Sequence, residues 1–118
     1  MSTQTIGLIQ TAAGNDPDRN LVHTLAMARA AIAKGVRILC LQELYRLPYF
    51  PQYEATDASV YAETIPGPST EAFAALAREH GVVIVVPLYE RTESGEYFNA
   101  AVVIDADGRL LPPYRKVH

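Results

Sequence analysis

The feature that most constrains the fold is the order of apolar runs and amphipathic stretches along the chain. Apolar runs suited to short buried strands occupy residues 5–10 and 36–42, and a helical pattern lies between them. A strand, a helix and a second strand at this spacing favour a right-handed crossover that joins two parallel strands. The first third of the sequence therefore predicts a helix packed against a parallel pair of strands.

The predicted first helix carries its own boundary signals. Asp16 supplies an N-cap oxygen, and Pro17 suits the first helical position. Gly35 is suited to end the helix, because glycine readily adopts the left-handed backbone found there. One helix face carries the recurring apolar residues Leu21, Leu25, Ala28 and Ile32. This periodicity predicts an amphipathic helix with one buried stripe.

A second helix and three extended segments are predicted in the remainder of the sequence. The helix spans residues 69–81, with Ser69 or Thr70 as its capping residue. Its predicted buried side contains Phe73, Leu76, Ala77 and His80. The extended segments are residues 82–90, 97–105 and 109–116. A polar, glycine-containing turn separates the first two of them, which predicts an antiparallel hairpin.

In the order β-α-β-loop-α-β-β-β, these elements predict a layered α/β domain with a mixed sheet and both helices on one face. The other face of the sheet would then be exposed, or covered by something that this chain does not contain. A length of 118 residues is enough for one domain with a core of its own, but not comfortably for two.

Composition excludes several classes of protein. The net charge is −3, and the ten Lys and Arg residues form no stripe, which argues against a nucleic-acid partner. No apolar run approaches the roughly 20 residues that span a bilayer, and the N-terminal residues lack the pattern of a signal peptide. The single cysteine, Cys40, excludes an intrachain disulfide framework. We therefore expect a cytoplasmic protein with no membrane partner.

Glu43 is the first candidate for chemistry. It directly follows the second apolar run, and open α/β sheets bind ligands beyond the carboxyl ends of their strands. A carboxylate in a partly apolar pocket has a raised pKa and can act as a general base near neutrality. Glu43 could equally be the first solvated residue after a strand. Lys116 could stabilise an oxyanion or tune a carboxylate, or could be an ordinary surface charge.

Two further polar side chains lie within apolar segments. Cys40 is interpreted as an inert buried residue, and in a regular strand Cys40 and Glu43 would point to opposite faces. Asn99 needs hydrogen-bond partners if it is buried, either for a structural role or for a role in a pocket. No metal site is predicted, because the histidines His23, His80 and His118 lack ligand spacing, and the glycines form no nucleotide-binding pattern.

Several stretches, taken in order, resemble the N-terminal half of the nitrilase, or carbon–nitrogen hydrolase, superfamily. They are IGLIQ (6–10), LCLQELY (39–45), GPSTEAFAALAREHGVVIVVPLYER (67–91) and YFNAAVVIDADGRLLPPYRKVH (97–118). The QE pair after the second apolar run and the terminal YRKVH are the most specific parts. The resemblance points towards the branch of N-carbamoylputrescine amidase and β-ureidopropionase, which hydrolyses N-carbamoyl amines.

The resemblance implies an α-β-β-α sandwich, of which residues 1–118 would form the N-terminal part, with the C-terminal part of the domain absent. It also implies a Glu-Lys-Cys catalytic triad, whose general base falls on Glu43 and whose lysine falls on Lys116. The nucleophilic cysteine of the family follows the lysine, so it would lie beyond His118, and Cys40 does not occupy its position. The amine side of the substrate pocket would be shaped by the aromatic residues Tyr45, Tyr49, Phe50 and Tyr53.

For the intact protein, the resemblance implies hydrolysis of a small-molecule amide or N-carbamoyl amine through a thioester, with release of ammonia and without a cofactor. The chain alone would be inactive. A non-catalytic scaffold or binding domain of the same fold is the alternative. An unrelated α/β domain, with Glu43 and Lys116 far apart on its surface, is a third interpretation. An uncovered apolar sheet face also predicts self-association and a homo-oligomer.

Overall fold

The computed structural model describes residues 2–48 and 58–117. Along this part of the chain the elements are β1 (Ile6–Leu8), α1 (Pro17–Ala33), β2 (Ile38–Cys40), a single 3-10 turn (Ser59–Tyr61), α2 (Pro68–His80), β3 (Val83–Arg91), β4 (Tyr97–Ile104) and β5 (Tyr114–Arg115). Their order confirms the one predicted from the apolar patterns.

The strands form one mixed sheet in the order β1-β2-β3-β4-β5. The first three strands are parallel, and their register places Leu8 beside Cys40 and Cys40 beside Val85. β4 runs antiparallel to β3, and β5 runs antiparallel to β4. The predicted parallel pair, hairpin and mixed α/β sheet are therefore confirmed.

The ends of α1 follow the predicted signals. The Asp16 carboxylate accepts hydrogen bonds from the backbone N–H groups of Asp18 at 3.0 Å and Arg19 at 3.3 Å, and Pro17 is the first helical residue. After the last turn, Gly35 adopts a φ of 97°, a backbone conformation that costs glycine little. Its N–H and that of Val36 donate to the carbonyl groups of Ile32 and Ala31, which ends the helix in a Schellman motif.

The start of α2 differs from the prediction. Gly67 is the N-cap, so neither Ser69 nor Thr70 caps the helix from the expected position. Pro68, whose fixed φ and missing N–H suit the first helical position, starts the helix before them. The Thr70 hydroxyl accepts a hydrogen bond from the Gly67 N–H at 2.8 Å, while Ser69 is buried and bonds elsewhere. The prediction for His80 was also wrong, because its side chain lies on the exposed side of the last turn.

The core lies on one side of the sheet. Alternate residues of β3 point towards the helices, and Ile84, Val86 and Leu88 are fully buried there. They pack in one cluster with Ala28 of α1 and with Phe73 of α2. Both helices therefore cover the same face, as predicted.

The opposite face of the sheet carries apolar residues without a covering layer in the part of the chain that is described. The exposed fractions are 63% for Ile6, 78% for Leu8 and 66% for Tyr114. Neither helix of the described residues is long and apolar enough to cross a membrane.

Candidate active site

A cavity of about 470 Å³ opens on the uncovered face of the sheet, across the end of β2 and along β5. Its polar groups come from Glu43, Asn99 and Lys116. Its apolar wall includes Cys40, Pro87 and Tyr114. The cavity therefore combines a small cluster of polar groups with an apolar surface, as binding sites for small molecules commonly do.

Glu43 and Lys116 meet in this cavity although 73 positions separate them in the chain. The Lys116 Nζ donates a hydrogen bond to Glu43 Oε1 at 2.8 Å. The side-chain amide of Asn99 donates to the same oxygen, also at 2.8 Å. The third interpretation of the sequence, with the two charged residues far apart, is therefore wrong.

The acid–base state of Glu43 differs from the expectation. The hydrogen bond from Lys116, followed by the one from Asn99, lowers the pKa of Glu43 below its ordinary value, and partial burial opposes this shift. A raised pKa was expected from an apolar surrounding, but the Glu43 side chain is 41% exposed and has two donors on one oxygen. In this arrangement Glu43 is ionised at neutral pH.

The backbone changes direction immediately after Glu43. Leu44 has a φ of 51°, an uncommon conformation for a residue other than glycine. The residues that follow are buried: at most 2% of the surface of Leu44, Tyr45 or Leu47 is exposed. The chain thus turns from the open face into the core, and this turn leaves Glu43 at the edge of the cavity.

On the other side of the cavity, Lys116 is placed by pairing with β4. Its backbone N–H donates to the carbonyl oxygen of Asn99 at 2.8 Å. Asn99 therefore contacts both charged residues, since its carbonyl group binds the backbone of Lys116 and its side chain binds Glu43. Of the two interpretations of Asn99, the structure supports a role in the pocket.

Cys40 lies in the same cavity as Glu43, which corrects the expectation of opposite faces. Strand β2 ends at Cys40, so the alternation of a regular strand does not reach Glu43. The thiol is half-buried and lines the cavity on the uncovered face, whereas a buried position was expected. Its Sγ lies 3.4 Å from the carbonyl oxygen of Leu41.

The aromatic residues expected to shape the pocket are not brought together with Glu43. Tyr45 is 1% exposed and packs edge-on against Phe73 in the core, and it does not line the cavity. Burial raises the pKa of its hydroxyl, which is hydrogen-bonded to Ser69. Tyr49, Phe50 and Tyr53 lie outside the described residues.

Two arginine–glutamate pairs outside the lining of the cavity were missed by sequence reasoning. Arg46 binds Glu63, and Arg115 binds Glu90. The strand pattern contained a signal for the second pair, because Glu90 continues the buried alternation of β3. A carboxylate on a buried face needs a cationic or hydrogen-bonding partner. Among residues 2–48 and 58–117, no group of three or more His, Cys, Asp and Glu side chains is arranged to hold a metal ion.

The cavity on the α/β sheet therefore presents a carboxylate and an ammonium group that are hydrogen-bonded to each other. The model of the carbon-nitrogen hydrolase family matches residues 5–118. The chain therefore belongs to the carbon–nitrogen hydrolase family, which confirms the superfamily suggested by the sequence.

Similar proteins include more than one kind of amidase. N-carbamoylputrescine amidase of Solanum lycopersicum is 36% identical over 115 residues, which are 97% of this chain and 38% of that protein. Omega-amidase NIT2 of Mus musculus is 31% identical over 118 residues, which are 100% of this chain and 41% of that protein. The relatives do not distinguish the N-carbamoyl branch from the omega-amidase branch.

Solved structures share the fold. A crystal structure of a carbon–nitrogen hydrolase from Helicobacter pylori G27 has a TM-score of 0.86 at 31% identity, over 98% of this chain and 40% of that chain. An amidase from Nesterenkonia sp. has a TM-score of 0.73 at 25% identity, over 98% of this chain and 43% of that chain. The chain thus spans about two-fifths of the length of these relatives.

Proposed function

We propose that this chain carries two of the three catalytic groups of a hydrolase acting on non-peptide carbon–nitrogen bonds. Glu43 is the general base, and Lys116 is the donor that stabilises the oxyanion. The observation that carries the proposal is the 2.8 Å contact between Lys116 Nζ and Glu43 Oε1 in a cavity of a carbon–nitrogen hydrolase fold.

The nucleophile is a cysteine that belongs to the second half of the family's domain. We use the term intact protein for this chain together with that second half. The relatives are more than twice as long as this chain, which leaves room for such a half. The second half also covers the bare apolar face and converts the open cavity into an enclosed site. Enclosure excludes water and strengthens the electrostatic interactions inside.

The first half of the reaction forms a thioester. Glu43 takes the thiol proton as the cysteine sulfur attacks the carbonyl carbon, and the carbonyl electrons move onto oxygen. Lys116 binds this oxyanion, and one well-placed donor lowers the barrier by about 3–4 kcal/mol. The ammonium group has three N–H donors, so it can bind the oxyanion while it keeps its bond to Glu43. When the intermediate collapses, the carbon–nitrogen bond breaks and the leaving nitrogen takes the proton from Glu43.

The second half of the reaction releases the acyl group. Glu43 removes a proton from water as the water oxygen attacks the thioester carbonyl, and the carbon–sulfur bond then breaks. The thiolate recovers the proton. From an N-carbamoyl amine, the product is a carbamate that decomposes to the amine and CO2, and from an amide it is an acid. Every step is a proton or acyl transfer, so the residues require no cofactor.

The experiment compares Glu43→Gln with Glu93→Gln in the intact protein. We expect Glu43→Gln to lose at least about 100-fold in kcat, because the amide cannot accept the thiol proton. Glu93 is an exposed residue of the turn between β3 and β4, and its variant should keep the wild-type rate. Ammonia release is measured with N-carbamoylputrescine, N-carbamoyl-β-alanine and an omega-amide, and the 118-residue chain alone is the inactive reference.

The outcomes separate the possible functions. The relative rates on the three compounds assign the substrate branch. Near-normal turnover by Glu43→Gln would show that the assigned base is wrong. An intact protein that folds but hydrolyses none of the compounds would favour a non-catalytic scaffold of the same fold.

A further inference from the structure

The residue before Lys116, the proposed oxyanion donor, forms an ion pair: Arg115 binds Glu90. We propose that the pair formed by Glu90 and Arg115 is a positioning device for Lys116, which holds its ammonium group against Glu43. The importance of that position for catalysis rests on the proposed function, whereas the positioning itself can be measured independently.

Few backbone contacts among the described residues hold the extended segment around Lys116: β5 ends at Arg115, one residue before Lys116, whose own N–H donates to the Asn99 carbonyl. β5 is two residues long and is paired with β4 at Ala100 and Ala101. Tyr114 is 66% exposed, and the Lys116 side chain is 53% exposed. A short edge strand with so little burial is expected to fray unless a side chain anchors it.

Arg115 supplies such an anchor. Its Nε donates to Glu90 Oε1 at 2.8 Å, and a terminal guanidinium nitrogen donates to Glu90 Oε2 at 2.9 Å. The guanidinium group also lies 4.8 Å from the centroid of the Phe98 ring. A bidentate bond fixes the plane of the guanidinium group as well as its distance, and contact with the ring face adds a cation–π attraction.

The acceptor is itself held rigidly. The Glu90 side chain is 6% exposed and extends from the inside of β3. Its backbone neighbours are fixed on both sides, because the Glu63 N–H donates to the carbonyl of Tyr89, and the Arg91 N–H donates to the carbonyl of Glu63, each at 2.9 Å. Arg115 is therefore bound to a buried carboxylate on a strand whose backbone is hydrogen-bonded on both sides of Glu90.

Strand geometry transfers this constraint to Lys116. Successive side chains of an extended chain point to opposite faces. Arg115 reaches the buried carboxylate, while Tyr114 and Lys116 line the cavity. Fixing the direction of Arg115 thus fixes the rotation of the strand about its axis, and with it the direction of the Lys116 side chain.

The experiment uses the intact protein and compares Arg115→Gln, Arg115→Lys and Glu90→Gln. Arg109→Gln is the matched control, because Arg109 makes a looser pair with Asp105 at 3.6 Å on the surface. The readouts are kcat and KM per folded molecule, and the pKa of the Glu43 carboxyl measured by NMR. The NMR signal reports the contact with Lys116 whether or not the protein turns over substrate.

We expect Arg115→Gln and Glu90→Gln to lower kcat by about 10- to 100-fold with a smaller change in KM, since small misplacements of a catalytic group cost this much. The pKa of Glu43 should rise towards its ordinary value, because its main donor is no longer held in place. Arg115→Lys keeps the charge but not the bidentate bond, so its effect should be intermediate. Arg109→Gln should change neither readout.

A folded Arg115→Gln variant with a normal kcat and an unchanged pKa of Glu43 would overturn the proposal. A lower melting temperature without either change would show that the pair has a structural role alone, which also overturns it. If Arg115→Gln does not fold, Arg115→Lys decides by the same two readouts. Failure of the proposed function gives a different result. The Glu43→Gln variant would keep its turnover, while the pKa of Glu43 would still change in the Arg115 variants.

Discussion

At the scale of single residues, the state of Glu43 depends on two donors that share one of its oxygens. Because Lys116 and Asn99 hold its pKa below the ordinary value of 4.5, the folded protein binds a proton at Glu43 less readily than the unfolded chain does. The stabilisation from this cluster is therefore present above about pH 4.5 and is lost as the pH falls through the lowered folded pKa. Since both charged side chains are substantially exposed, this contribution is small and screened by salt.

Asn99 provides a way to test this cluster without removing a charge. In Asn99→Ala, Glu43 loses the weaker of its two donors, so its pKa should rise and the acid limb of kcat/KM should move to higher pH. Asn15→Ala, at an exposed position before α1, is the control and should leave the limb in place. The measurement is the pH dependence of kcat/KM for the intact protein. An acid limb that does not move, or moves to lower pH, contradicts the assignment of Asn99.

At the scale of secondary-structure elements, a buried carboxylate joins parts of the chain that surround the turn after Glu43. Glu63 accepts hydrogen bonds from the Ser69 backbone at 2.8 Å, from the Ser69 hydroxyl at 2.8 Å and from Arg46 at 3.2 Å. Since Ser69 donates its one hydroxyl proton to Glu63, the Tyr45 hydroxyl must donate to Ser69. The guanidinium group of Arg46 also contacts the start of α1, where it donates hydrogen bonds to the Asp18 carboxylate and to the carbonyl oxygen of Pro17.

In this network the negative charge of Glu63 stabilises the positive charge of Arg46. Burial alone would lower the pKa of Arg46, but the Glu63 carboxylate raises it above the ordinary value. The two side chains are 10% and 4% exposed, so a broken pair would leave a charge that water cannot reach. The network fixes the segment after Glu43 against the N-terminal ends of both helices.

Removing the charge of Glu63 should therefore cost stability. We expect Glu63→Gln to lower the free energy of unfolding by about 3 kcal/mol, because Arg46 is left without its buried carboxylate. The matched control is Glu71→Gln, an exposed change in the first turn of α2 that should cost less than about 1 kcal/mol. Urea denaturation of the intact protein measures both values. Equal small losses for the two variants would show that the Arg46 pair contributes little.

Elements with local signals could be predicted from the sequence, whereas their long-range partners could not. Asp16 and Pro17 marked the start of α1 because capping depends on neighbouring residues. The start of α2 was misplaced because Ser69 resembles a cap but binds Glu63, six residues earlier. The partner of Glu90 is 25 positions away, and a pattern that reveals a buried carboxylate does not reveal which arginine reaches it. The pairing of Glu43 with Lys116 was expected from the family resemblance alone.

At the scale of the whole molecule, the described residues cover the sheet on one side. The helices bury one face, and the other face continues from β1 across the cavity to Tyr114. Monomeric proteins rarely expose contiguous apolar patches larger than a few hundred Å². In the intact protein we propose that the second half of the domain covers this face, and without it another copy of the chain is the available partner.

The 118-residue chain by itself should consequently self-associate in a concentration-dependent manner, and a charge on the bare face should weaken this association. Leu8, 78% exposed on β1, is the position for the change, and Leu8→Lys should shift the chain towards monomer. Val22→Lys is the matched control, because Val22 is 67% exposed on α1 at the other side of the sheet. Sedimentation velocity over a range of concentrations gives the distribution of species. The prediction fails if the wild-type chain stays monomeric at high concentration. It also fails if Val22→Lys dissociates as readily as Leu8→Lys, because the bare face would then not be the surface through which copies of the chain associate.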